Sequence, residues 1–150
     1  MRRTAFALVG CIAIAGVASS QVKWNEMPLP EGVFREYKAD YRTDVIDIAL
    51  KGGGELEYKL GINQGDSVVY QWDAVDLKDA ELLYAEFHGH TEPVNGAGDL
   101  MFYRKATGAT ERGVLTAPFT GIHGWYLRND SDQPIVVRLK VAGFYEVLPQ

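Results

Sequence analysis

The sequence is short of several things, and each shortage excludes a class of protein. It has one cysteine, Cys11, and that falls within the first twenty residues. Beyond residue 20 there can be no intrachain disulfide, no cysteine zinc cluster and no thiol nucleophile. Serine is nearly as scarce there. Only Ser67 and Ser131 follow residue 20, and neither lies in a Gly-x-Ser-x-Gly elbow. No phosphate-cradling glycine loop, dinucleotide fingerprint or His-Glu-x-x-His pair occurs. The 15 basic residues are outnumbered by 20 acidic ones and are scattered, for a formal net charge of −5. No basic stripe exists to track a phosphate backbone, which argues against nucleic acid as a partner.

A long apolar run is also missing. Arg2-Arg3 precede Thr4 to Val17, which ends in Ala18-Ser19-Ser20. Its order is that of a secretory signal: charged start, apolar centre, small-residue cleavage site. The apolar part is about fifteen residues, short of the roughly twenty that a membrane span needs. Residues 1–20 are therefore expected to be a signal peptide cleaved near Ser20-Gln21, or a short uncleaved anchor. Leu8-Val9-Gly10-Cys11 looks like a lipoprotein box. Cleavage there would leave the apolar Ile12 to Ala18 directly after the lipidated residue. The expected location is periplasmic or otherwise extracytoplasmic, with a membrane tether only if the N-terminus is retained.

What remains is about 130 residues, one domain by length and long enough to bury a core without disulfides. Residues 21–42, with Pro28 and Pro30, read as a linker or surface strap. Phe34, Tyr37 and Tyr41 have helix-like spacing, so a short helix is expected over Val33–Tyr41. From Thr43 the period becomes two. Leu56, Tyr58, Leu60 and Ile62 share one face of a strand, and Glu55, Glu57 and Lys59 the other. Ile135, Val137, Leu139 and Val141 repeat the pattern. Further strands are expected at Val45–Leu50, Ser67–Asp73, Leu82–His88, Leu100–Lys105, Gly113–Ala117 and Ile122–Asn129, separated by Gly-, Asn- and Pro-rich turns. Asp76 could cap a helical turn before the Leu82 strand. About eight short strands over residues 43–147 predict an antiparallel β-sandwich or jelly roll.

Three histidines are candidate ligands. Glu86, His88 and His90 alternate onto one strand face, and two imidazoles with a carboxylate suit copper or zinc. His123 completes such a site if its strand pairs nearby. The alternative is structural: His88 in a hydrogen bond, His90 in a loop, and His123 ordering the start of its strand. Glu55 with Glu57, and Asp44 with Asp47, are the nearest acid/base pairs. Solvated strand faces and turn residues are the expected reading of them. Most aromatics should fill the core, Trp72 among them. Neighbours on a strand point to opposite faces. One member each of Trp125-Tyr126 and Phe144-Tyr145 should therefore face outward, as a recognition patch or a structural motif.

The stretch Ala117-Pro118-Phe119-Thr120-Gly121-Ile122-His123-Gly124-Trp125-Tyr126-Leu127-Arg128-Asn129, with Gly143-Phe144-Tyr145, resembles a family of small bacterial proteins known as transmembrane anchor proteins. Arg42-Thr43-Asp44, Gly54 to Leu60, Gly65-Asp66, Tyr70-Gln71-Trp72 and Phe87-His88-Gly89 belong to the same resemblance, which covers about residues 42–145. More distantly, the layout is similar to the GOLD-type β-sandwich of lumenal cargo receptors. The resemblance implies an extracytoplasmic, membrane-tethered sandwich without enzymatic activity. His88 and His123 match family positions, and His90 does not. The short N-terminal apolar segment departs from the family. The expected function is an exported, non-catalytic binding or assembly module of the bacterial cell envelope, acting on another envelope protein or a small ligand. The alternative is a periplasmic copper- or zinc-binding protein using His88 and His123.

Overall fold

The computed structural model describes residues 23–38 and 40–150. The expected signal segment, residues 1–20, lies outside them. The chain divides into two units, one ending at Glu36 and one running from Tyr37 to Gln150. In the first, residues 23–36 are irregular, with a turn at Gly32 (φ +81°) and Trp24, Met27 and Phe34 exposed. No helix forms over the described part of 33–41. Tyr37 and Tyr41 instead pack on Phe144, at centroid distances of 4.1 and 5.5 Å. Aromatic contact, not helical amphipathicity, set their spacing.

The second unit is all β. Its strands are β1 (Arg42–Leu50), β2 (Glu55–Ile62), β3 (Ser67–Val75), β4 (Leu83–His90), β5 (Leu100–Thr107), β6 (Thr110–Thr116), β7 (Gly121–Asn129), β8 (Ile135–Gly143) and the two-residue β9 (Glu146–Val147). One sheet has the order β1-β8-β3-β6 and the other β5-β4-β7-β2-β9, with every pairing antiparallel. The pairings are nested. β4 pairs with β5, β3 with β6, β2 with β7 and β1 with β8. This is one long hairpin rolled into two sheets, the jelly-roll arrangement.

Alternation in the sequence becomes burial in the structure. Val68, Tyr70 and Trp72 point into the core, as do Ile135, Val137, Leu139 and Val141. Phe87 and Trp125 stack at 4.6 Å in the middle of the sandwich, and Tyr70 meets both rings edge-on or tilted. Trp125 is buried while Tyr126 faces outward, and Tyr145 is buried while Phe144 is partly exposed.

The turns follow their residues. Asn95 (φ +53°) and Gly96 (φ +79°) form the tip of the β4–β5 loop, in the left-handed region a two-residue reverse turn requires. Before β4, the helical turn is a 3-10 turn over Ala80–Leu82 capped by Asp79, whose carboxylate accepts from Glu81 N–H. The expected cap, Asp76, sits at φ +66° instead, and the strand starts at Leu83. Asn129 is fully buried and ties two loops together. Its amide donates to the carbonyls of Lys51 and Gln133, and its oxygen accepts from Ser131 N–H and Oγ–H.

Candidate functional site

The ladders fix where the histidines point. In the β4–β7 ladder Gly89 stands opposite His123 and His88 opposite Gly124. Paired residues share a face and neighbours alternate. His123 therefore faces the core and His88 the outside of the same sheet. His123 is buried, and both ring nitrogens are engaged. Nε2 lies 3.1 Å from the Phe119 carbonyl, and Nδ1 lies 2.8 Å from the Tyr103 hydroxyl. A carbonyl can only accept, so the proton sits on Nε2 and Nδ1 accepts from Tyr103. Burial holds the His123 pKa below the usual histidine value, against the opposing pull of the Phe119 carbonyl.

On the outer face, His88 Nε2 is 3.0 Å from Glu57 Oε1, and its Nδ1 is buried without a partner among the described residues. His90 Nδ1 donates to the Thr91 carbonyl at 3.0 Å. His88 and His123, the ligands of the alternative copper or zinc reading, thus do not converge. A sheet lies between the two rings, and His123 has no free lone pair. His90 joins His88 on the outer face, at 6.2 Å between ring centroids. No group of three or more His, Cys, Asp or Glu among the described residues could hold a metal ion.

The carboxylate pairs separate too. Glu55 accepts from the Tyr126 hydroxyl at 2.5 Å, while Glu57 meets His88 and Lys59. Asp44 accepts from the Tyr145 hydroxyl at 2.6 Å, whereas Asp47 is held bidentately by Arg138 at 2.7 and 2.8 Å. Tyr126 and Tyr145 each use their hydroxyl on a carboxylate of a neighbouring strand. Phe144 stacks on Tyr37.

The feature that strand periodicity did not expose lies at the edges of the two sheets. β5 ends one sheet and β6 the other, and the chain crosses between them at Gly108. Phe87 pairs with Arg104 and His88 with Phe102, so Tyr103 is an extra residue in β5, a β-bulge. Bulges re-aim side chains at sheet edges. Here Tyr103 reaches His123 in the interior, and Arg104, paired with Phe87, stays largely exposed at the sheet edge. Arg104 Nε then meets Glu111 Oε2 of β6 at 3.0 Å, and Glu111 Oε1 accepts from the Tyr70 hydroxyl at 2.7 Å. The result is a cleft of about 670 Å³. Tyr70, Phe87 and Tyr103 line it, with Arg104, Glu111 and Arg112.

Its electrostatics are asymmetric. Glu111 is only 11 % exposed and both its oxygens are engaged, while Arg104 is 60 % exposed. Burial pushes the Tyr103 phenol up to about 12. Tyr70 is raised further, first by burial and then by its bond to Glu111. Both phenols stay neutral and spend their protons on internal acceptors. The cleft thus presents the exposed guanidinium of Arg104 over an aromatic floor whose hydroxyls are already engaged.

No protein-family model matches the chain, and no curated protein does. Among solved structures, it is similar to a de novo designed double-stranded β-helix, at 21 % identity and a TM-score of 0.35, covering 65 % of this chain and 97 % of that one.

Proposed function

We propose that this chain is an exported, non-catalytic binding module of the bacterial cell envelope, and that its ligand sits in the cleft between β5 and β6. The observation that carries the reading is the bulge at Tyr103. It brings two consecutive side chains, Tyr103 and Arg104, to the cleft between β5 and β6. A concave site of a few hundred Å³ with a few convergent polar groups on an aromatic floor is the usual form of a small-molecule site. The ionisable groups there are locked in mutual bonds: Glu111 by Tyr70 and Arg104, His123 by Tyr103 and Phe119. Such groups orient a ligand better than they shuttle protons. Export rests on the arrangement of Arg2-Arg3, the apolar run and Ala18-Ser19-Ser20.

An apolar row on the opposite sheet offers a second contact surface. Ala142, Val69 and Val114 line up across β8, β3 and β6, with Val69 and Val114 more than half exposed. Lys140 and Arg112 lie in the next row. An apolar patch with a polar rim suits contact with another envelope protein.

The test is amide chemical-shift mapping of the mature protein against a fragment library. Shifts concentrated at Tyr103, Arg104, Glu111 and Arg112 are expected. Fragments that bind reproducibly but leave these four residues unmoved would place the site elsewhere. Cell fractionation of the full chain tests export, and recovery in the cytosol would refute it.

A further inference from the structure

We infer that the outer face of the β5-β4-β7-β2-β9 sheet carries a two-nitrogen site for a copper ion, made by His88 and His90. The site is separate from the cleft and does not rest on the reading given to it. His123, on the other side of the sheet, takes no part. Placement is the first support. His88 and His90 alternate onto one face of β4, and their ring centroids stand 6.2 Å apart. Two metal–nitrogen bonds of about 2.0–2.1 Å each leave roughly 2 Å of such a span, which is what two imidazole radii take up.

The second support is how the rings are held. A metal-ligating histidine normally gives its other N–H to a carboxylate or a carbonyl, which fixes the tautomer and leaves the ligating nitrogen bare. Both rings are held in this way. His88 Nε2 donates to Glu57 Oε1 at 3.0 Å, so in the neutral ring the lone pair is on Nδ1. That Nδ1 is buried, in a residue only 8 % exposed, with no hydrogen-bond partner among the described residues. A buried lone pair is costly unless something takes it. His90 Nδ1 donates to the Thr91 carbonyl, which puts the lone pair of that ring on Nε2.

The third support is orientation and surroundings. Nε2 and Nδ1 lie on opposite sides of an imidazole. Glu57 stands two strands from His88, on β2, in the row of Glu86 and Tyr126. With Nε2 turned that way, Nδ1 is turned from Glu57 toward the β5 side and the row of His90. Gly124, opposite His88, has no side chain and lets the ring cross to Glu57. The other residues paired with the two histidines are Phe102, Leu100 and Ile122, so none of their direct partners bears a charge that would repel a metal ion. Two imidazoles leave further positions on the ion open, and nitrogen sites hold copper above zinc in the usual order of divalent metals.

Calorimetric titration of the mature protein with copper(II), zinc(II) and magnesium tests the site. Copper should bind at least about tenfold tighter than zinc, and magnesium, which prefers oxygen ligands, should not bind. His88→Gln keeps a donor for Glu57 but has no ligating ring nitrogen, and His90→Gln alters a residue that is not fully buried. Both should weaken copper by more than Glu57→Gln, which leaves the two rings in place, withdraws only the support of His88 and should cost about tenfold. Electron paramagnetic resonance of the copper-loaded protein should show coupling to the nitrogens of two imidazoles, and to those of one in either histidine variant. Circular dichroism confirms that each variant folds.

Copper affinity unchanged in both histidine variants would place the bound ion elsewhere, on the free amino terminus for example, and overturn the site. So would an absence of copper binding, or zinc bound as tightly as copper. Should His88→Gln not fold, His90→Gln decides alone, and an unaltered affinity and resonance spectrum in that variant overturn the site.

Discussion

Gly89 lies directly across from His123 in the β4–β7 ladder, and its missing side chain is the space in which His123 meets Tyr103. A Cβ at Gly89 would collide with His123 Nδ1 and with the Tyr103 hydroxyl. Three residues from three strands thus share one volume. The glycine is required there for close approach, not for a turn.

Gly89→Ala should therefore destabilise the domain by about 1–3 kcal/mol, the usual cost of overpacking a core. Gly108→Ala is the control, because a Cβ there meets only the Thr110 carbonyl, at an ordinary 3.9 Å. Urea denaturation of both variants decides. A Gly89→Ala midpoint equal to that of Gly108→Ala would mean the His123 pocket yields freely.

Trp72 is 2 % exposed and belongs to the main core, facing the same way as Val68 and Tyr70. Truncation to alanine should cost about 3–5 kcal/mol. This is a large share of a typical total of roughly 5–15 kcal/mol. An unchanged melting temperature for Trp72→Ala would contradict the packing described.

Stability should fall with acid in a window set by His123. Its pKa is held below the usual histidine value by burial, so between that lowered value and about 6.5 the unfolded chain binds a proton that the folded one does not. Stability is then full above about pH 6.5 and declines as pH drops through the window, levelling once the folded state also protonates. In His123→Gln this part of the slope should vanish. Melting curves from pH 7.5 down to about 4.5 measure it, and an identical slope in the variant would assign the effect to other groups.

Asn129 makes four hydrogen bonds with no exposure. Asn129→Ala removes all four bonds, leaves Ser131 N–H without its acceptor, and should cost about 1–3 kcal/mol. Faster amide exchange at Gly53, which donates to Ser131, and at Ser131 itself should accompany it. Loss of stability without altered exchange there would separate Asn129 from the loops.

Much of this architecture is legible in the sequence because its strands are half-buried. Glu55–Ile62 alternates without a fault and forms β2 over those same residues. The alternation rule also separates Trp125 from Tyr126 correctly. It fails at Phe102-Tyr103-Arg104, where one extra residue breaks the period. Period-two reading puts Tyr103 and Arg104 on opposite faces, whereas the bulge sends Tyr103 inside and leaves Arg104 exposed at the sheet edge, reaching Glu111. No local residue type announces that bulge. It exists because Tyr103 must reach His123 from a strand not adjacent to β7. His88 and His123 are kept apart for a related reason. His88 and His123 do meet across paired strands, yet they are offset by one position in the ladder, and one position is a change of face.

The nested pairing also governs time. Arg42 pairs with Gly143 and Leu50 with Ile135, so β1 is bound by a strand lying near the far end of the chain. A chain made or threaded N-terminus first presents β1 long before β8 exists to receive it. The innermost hairpin, β4 with β5, is the first pair whose members are both at hand. Closure then proceeds outward through β3–β6 and β2–β7, each step joining more distant residues at a larger loss of chain entropy. The roll cannot shut until β8 has been delivered, so β1 waits unpaired through most of the domain's synthesis.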